Sequence, residues 1–285
     1  MSKLIVISAL QRSGTTALSH VLSSAPGVVR RGEIFHAARK RADHPDFARL
    51  HLDPDANFFT FRARLIGRNR ALLHPSLDNQ VTILDAYLDH LLADAPQWTV
   101  IDIKYNSWHH LNGIYAAPGE EPALIAMLRK RGAAIIHMKR QNLLARWLSD
   151  LVAQARGRYH FDPGERPAAK RVTVDPARAI AAMEQAQRLM HMHNQWFRGF
   201  AATLDMDYEK TFDDSALTPL AADYIRAVLG IDIPPSGWRP PMERALPDPA
   251  SAVANWPALR AALSGTQFAP MAEMLTTQRS KTLAA

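Results

Sequence analysis

A chain of 285 residues, 47% of them hydrophobic and 21% charged, can bury the core of one large α/β domain. Its formal charge of +7 favours anionic partners, and the absence of cysteine excludes disulfides and thiol catalysis. No apolar run approaches the roughly 18 residues of a spanning helix, and the first residues lack a secretory pattern, so the expectation is a cytoplasmic protein folding as one domain over residues 1–285.

Lys3-Leu4-Ile5-Val6-Ile7-Ser8 is a β-branched apolar run of the kind that forms a buried central strand. Ala17, Leu18, Val21 and Leu22 then share one helical face, which predicts a helix over 14–24. A short second strand is expected over 28–31, and buried strands over 99–103 and 133–138, with a weaker one over 203–208. Helices are expected over 79–93, 122–131, 142–156 and 176–202, which gives the order of a parallel sheet with crossover helices. Three stretches interrupt this plan: 36–75, 156–173 and the proline-rich 234–249. Inserted connections of that length serve as lids and binding loops or as solvated surface.

Between the first strand and helix runs Ser8-Ala9-Leu10-Gln11-Arg12-Ser13-Gly14-Thr15-Thr16. A glycine-bearing turn into a helix start aims backbone N–H groups and the positive helix end at an anion. The loop is close to a Walker A pattern but departs from it, with Ser8 in place of the first glycine and Thr15 in place of the lysine, which disfavours an ordinary kinase or ATPase. Its positive charge resides in Arg12, and Thr15 and Thr16 supply hydroxyls; the plain structural reading makes Ser13 an N-cap.

Gln11-Arg12-Ser13-Gly14-Thr15-Thr16 resembles the 5′-phosphosulfate loop of sulfotransferases that use 3′-phosphoadenosine 5′-phosphosulfate (PAPS). A second stretch, Ile135 to Ser149, is similar to that family's 3′-phosphate segment, a strand ending in Arg140 followed by a helix bearing Ser149. The interval between those two residues resembles the bacterial carbohydrate branch (trehalose and nodulation-factor sulfotransferases) and leaves Lys139 and Arg146 as competing anion holders. Gly32-Glu33-Ile34-Phe35, Ile103-Lys104-Tyr105, Asp207-Tyr208-Glu209 and the tail around Asn255-Trp256-Pro257 extend the similarity over most of the chain.

The resemblance implies a P-loop-like three-layer α/β fold with inserted acceptor-binding loops. It implies transfer of a sulfuryl group from PAPS to a hydroxyl of a small acceptor, a carbohydrate or glycolipid, without a metal. Gln11, Arg12, Ser13, Gly14, Thr15, Thr16, Arg140, Ser149 and Tyr208 would bind the donor, with Lys104 and Arg12 neutralising charge. Glu33 would be the general base and His36 its reserve. The alternatives are a nucleotide- or nucleic-acid-binding protein without turnover and a divergent P-loop kinase.

Other constellations are less specific. His191 and His193 point to different helical faces, which argues against a metal site. Trp147, Tyr159 and Trp196 are candidates to stack on adenine or to pack in the core. Arg62, Arg64, Arg68 and Arg70 form either a solvated face or a grip for RNA or lipid headgroups, and no RNA-binding signature accompanies them, so peripheral membrane contact is admitted and nucleic acid is not expected.

Overall fold

The computed structural model describes residues 3–35, 56–93, 97–111, 121–159, 170–241 and 248–284. Five strands, β1 (Lys3–Ala9), β2 (Val28–Gly32), β3 (Trp98–Lys104), β4 (Ala134–Lys139) and β5 (Ala202–Asp207), make one sheet in the order β2-β3-β1-β4-β5. Every pairing in it is parallel. The first strand is central as expected, with Ile5 in register with Val100 of β3 and Ala134 of β4.

Parallel neighbours need crossovers rather than tight turns. The helices are α1 (Thr15–Ser23), α2 (Phe58–Arg68), α3 (Leu77–Leu92), α4 (Ala123–Lys130), α5 (Leu143–Arg156), α6 (Pro176–Trp196), α7 (Tyr208–Thr211), α8 (Pro219–Leu229), α9 (Trp256–Leu263) and α10 (Ala269–Ala284). Successive strand residues point to opposite faces. Leu4, Val6, Ile101 and Ile135 therefore pack against Leu84 and Leu88 of α3 and Leu124 and Leu128 of α4. On the other face Ile5, Ile7, Val100 and Ile136 meet Leu18 and Leu22 of α1 and Ile225 and Leu229 of α8. The result is the three-layer α/β architecture with a central parallel sheet that the sequence predicts. A third cluster joins Leu10 and Tyr105, just past β1 and β3, to α5, α6, α9 and α10.

The helices expected over 14–24, 79–93, 122–131 and 142–156 form within two residues of those bounds. Two expectations need correction. The helix expected to reach 202 stops at Trp196, and Gly199 adopts a φ of 87° before β5 begins at Ala202. Part of the stretch expected to be an irregular insertion is helical: α2 starts on Asn57, whose side chain accepts from the Thr60 N–H at 3.1 Å. Phe58 of that helix is buried and Phe61 and Leu65 pack partly against the core on the same side, an apolar face at helical spacing that the sequence reading passed over. Residues 36–55 and 160–169, central to the expected acceptor loops, lie outside the described residues.

Candidate active site

From β1 the chain runs to β2 on one side of the sheet, and from β4 to β5 on the other. The C-terminal ends of β1 and β4 thus flank the crevice where open α/β sheets take ligands. The loop after β1 enters it with Arg12 at a φ of 66° and Gly14 at 85°, both left-handed. A Cβ at Gly14 would lie 2.5 Å from Tyr208 Cδ2, so this position admits no side chain on grounds of space as well as conformation. Gly14, rather than Ser13, is the N-cap of α1, and it supplies no side-chain cap to the helix start. The N–H groups of the first turn are left for another acceptor. Thr15 and Ser13 are buried beneath the loop, while Gln11 and Thr16 are half-buried.

Three arginines gather on this loop. Arg12 Nε donates to Ser149 Oγ at 3.2 Å, across 137 residues of sequence, and Arg12 Nη1 donates to the Tyr159 carbonyl at 2.8 Å. Arg140 Nη1 donates to the Arg12 carbonyl at 3.0 Å, and Arg146 Nη1 to the Gln11 carbonyl at 3.4 Å. Two of the three cationic candidates on the β4–α5 segment, Arg140 and Arg146, therefore also fasten the loop. Burial, then the neighbouring Arg140, lowers the Arg12 pKa; burial lowers that of Arg146, with Asp150 opposing part of each shift. Arg146 Nε is buried and has no hydrogen-bond partner among the described residues. Converging guanidinium groups with an unmet donor suit a multiply charged phosphate ester.

The remaining predicted holders divide clearly. Lys139 points the other way, with Nζ 2.5 Å from Asp205. Tyr208, expected to touch a cofactor, packs its ring against Gly14, with the Arg140 guanidinium carbon 4.9 Å from the ring centroid. Its place in the site is under the loop and beside Arg140. Glu209, quoted in the Asp207-Tyr208-Glu209 motif but given no role there, accepts from the N–H groups of Gln141 and Asn142 at 3.1 and 3.2 Å and so fixes the start of α5 next to Arg140.

Beside the loop, on the β2–β3 side, lies a buried charge cluster. Lys104 at the end of β3 is 2.5 Å from Asp102 Oδ2 and 3.3 Å from Glu33 Oε1, and it donates to Thr15 Oγ1. Arg30 of β2 donates to Ser19 Oγ at 2.7 Å and feels the charges of Asp102 and Glu33. Burial pushes the Asp102 carboxyl up despite the lysine beside it, while Lys104 is held above its ordinary value because two carboxylates outweigh its own burial. The sequence places Glu33 and Lys104 in the site; Asp102 was missed, although a carboxylate inside an apolar strand was its signal. His36, the reserve base, lies outside the described residues.

Other expected residues sit elsewhere. Trp196 is buried against His193, 4.8 Å between ring centroids, and Trp147 packs part-buried on the third core cluster. His193 stacks on Tyr105 at 3.7 Å, and the Tyr105 hydroxyl is hydrogen-bonded to His137 Nε2, whose Nδ1 is 3.3 Å from Asp205. A cavity of ≈ 530 Å³ next to that chain is lined by His137, Lys139, Asn194, Arg198 and Asp205.

No protein family model matches the chain, and no curated protein matches it. Among solved structures, the sulfotransferase STF1 of Mycobacterium tuberculosis is similar at 14% identity and a TM-score of 0.41, the match covering 98% of this chain and 76% of that one.

Proposed function

We propose that the chain is a sulfotransferase that moves a sulfuryl group from PAPS to a hydroxyl of a small acceptor, with a carbohydrate or glycolipid as the acceptor class. One observation carries the reading: two motifs far apart in sequence, each with its own resemblance to a half-site for the same nucleotide, meet through the Arg12–Ser149 and Arg140–Arg12 hydrogen bonds. Neighbouring strands bring the two loops together in any case; what the motifs add is that Arg12, Arg140 and Arg146 converge on one loop, as a doubly phosphorylated nucleotide requires.

Under this reading Arg12 and the first-turn N–H groups of α1 hold the 5′-phosphosulfate, and Arg140, Arg146 and Ser149 hold the 3′-phosphate. PAPS supplies the sulfuryl group. An alcohol attacks slowly until its proton leaves, and Glu33, part-exposed at the crevice, takes that proton. Negative charge then grows on the bridging oxygen of the departing nucleotide, and Lys104 offsets it. Lys104 suits that work because the two carboxylates beside it keep it protonated.

The test is a transfer assay with labelled PAPS over a panel of sugars, glycolipids, phenols and amines, paired with retention on immobilised adenosine 3′,5′-bisphosphate. Label in a sugar or glycolipid, with ATP failing to compete for the resin, is the expected result. Turnover with phenols alone would remove the acceptor class and keep the reaction. ATP-dependent transfer would make the protein a kinase, and nucleotide or RNA binding without turnover would make it a binding module.

A further inference from the structure

Residues 56–77 carry four arginines and neither aspartate nor glutamate. Arg62, Arg64, Arg68 and Arg70 are all exposed, and Arg62, Arg68 and Arg70 have no ion-pair partner among the described residues. At 3.6 residues per turn, Ala63 and Gly67 fall on the outward line of α2, with Arg62 on one flank and Arg64 and Arg68 on the other. A Cβ added at Gly67 would meet nothing within 4 Å. The helix can therefore lie close to a flat surface while its arginines reach down on both sides.

The corner after α2 adds an apolar component. Leu73 and Leu77 are 61% and 60% exposed, whereas Leu72 between them and the helix is buried. They are held there rather than left loose. Asn69 Oδ1 accepts from the Ala71 N–H at 3.2 Å, and Asn79 Nδ2 donates to the carbonyls of Ala71 and His74 at 2.9 and 3.0 Å. A single exposed leucine needs no explanation, but two at the end of an acid-free arginine helix combine the elements of an interfacial anchor.

We propose that α2 and the corner through Leu77 dock on an anionic lipid bilayer, the arginines on headgroup phosphates and Leu73 and Leu77 entering the acyl boundary. The contact is peripheral, since no helix among the described residues is long and apolar enough to cross a membrane. Lipid fits better than RNA. Phe59 and Phe61 of α2 are partly buried against the core, so the exposed part of the patch offers leucine where single-stranded RNA wants aromatic platforms. This surface is independent of the proposed reaction.

The intact chain is sedimented with vesicles of phosphatidylcholine containing phosphatidylserine, and with phosphatidylcholine alone. Binding to the anionic vesicles alone is expected. Each arginine near such a surface contributes about fivefold in partitioning, so Arg62→Glu with Arg68→Glu should weaken it by at least about 25-fold. Arg178→Glu with Arg260→Glu, which removes the same charge from other exposed helices, should leave most of it. Leu73→Ser with Leu77→Ser should abolish the part that survives raised salt. Circular dichroism verifies that each pair folds. No binding by the parent chain, equal loss in the control pair, or unchanged binding in the leucine pair would overturn the proposal. So would an RNA oligonucleotide that the leucine pair binds normally and that displaces the vesicles.

Discussion

Lys104 Nζ sits 2.5 Å from Asp102 Oδ2, two residues earlier on β3 and on the same face of the sheet. An unpaired carboxylate at that depth would be very unfavourable, and Asp102 is tolerated because the lysine returns to it along one strand. The same contact keeps Lys104 charged. Asp102→Asn removes one of the two carboxylates that raise the Lys104 pKa, so the pH above which Lys104 loses its proton should fall. The expected outcome is an alkaline limb of the rate profile displaced to lower pH, with folding stability reduced by about 3 kcal/mol, the low end for breaking a buried pair because Glu33 remains. Rate profiles and urea melts on the same preparation measure both.

Arg140 and Lys139 are adjacent but face different partners, the Arg12 carbonyl and Asp205. Arg140→Ala should weaken adenosine 3′,5′-bisphosphate by roughly 2–4 kcal/mol, as expected for deleting one side of a desolvated charge pair. Lys139→Ala should bind as the parent does. Titration calorimetry that found the reverse would transfer the 3′-phosphate site to Lys139.

Glu33→Gln keeps size and hydrogen bonding while removing the base. Turnover should fall about 10²–10⁴-fold with nucleotide affinity nearly unchanged. A fall in stability without a fall in turnover per folded molecule would reduce Glu33 to a partner of Lys104. The general base would then have to be sought at His36.

Gly14→Ala meets two obstacles, the left-handed backbone and the Tyr208 ring. The first costs about 1–2 kcal/mol and the second roughly 1–3 kcal/mol. Tyr208→Leu in the Gly14→Ala background should recover part of the second and none of the first, as read from urea midpoints.

Asp205 tests the opposite edge. Its carboxyl is held below the ordinary aspartate range by hydrogen bonds from His137 and Lys139, while burial pushes the His137 imidazole down and keeps it neutral. A depressed carboxyl adds stability above its unfolded pKa, near 3.9, and loses it as pH falls through the lower folded value. Asp205→Asn should thus be less stable than the parent at neutral pH by less than about 1 kcal/mol, since the side chain is largely exposed. The gap should begin to narrow below about pH 4 and go on narrowing as pH falls further.

The sheet was legible because β1 and β4 each contain an apolar run, Leu4 to Ile7 and Ala134 to Ile136, and the loop because Gly14 follows β1 within a short turn. The competition between Lys139 and Arg140 was open to the same reading and was not resolved by it. Alternation puts Ile136 and Met138 on the α1 face and His137 and Lys139 on the other, so parity alone turns Lys139 away from the loop. Asp102 was hidden by reading 99–103 as apolar strand. α2 escaped although Phe58, Phe61 and Leu65 mark an apolar face, because its arginines drew the stretch into a basic insertion, and Glu209 received no role within its motif because the distant helix start that it caps is not visible from local sequence.

Having β1 in the middle of the sheet splits the labour of the crevice. β3 and the residue just past β2 supply Asp102, Lys104 and Glu33, while the segments after β4 carry Arg140, Arg146 and Ser149. Under the proposed reaction, catalysis and retention of the nucleotide come from different halves of the molecule. Substitutions in one half should combine additively with those in the other unless they disturb the loop both share. Under that same reading, the arrangement lets the transfer chemistry be re-tuned for a new acceptor while the grip on the donor is left alone.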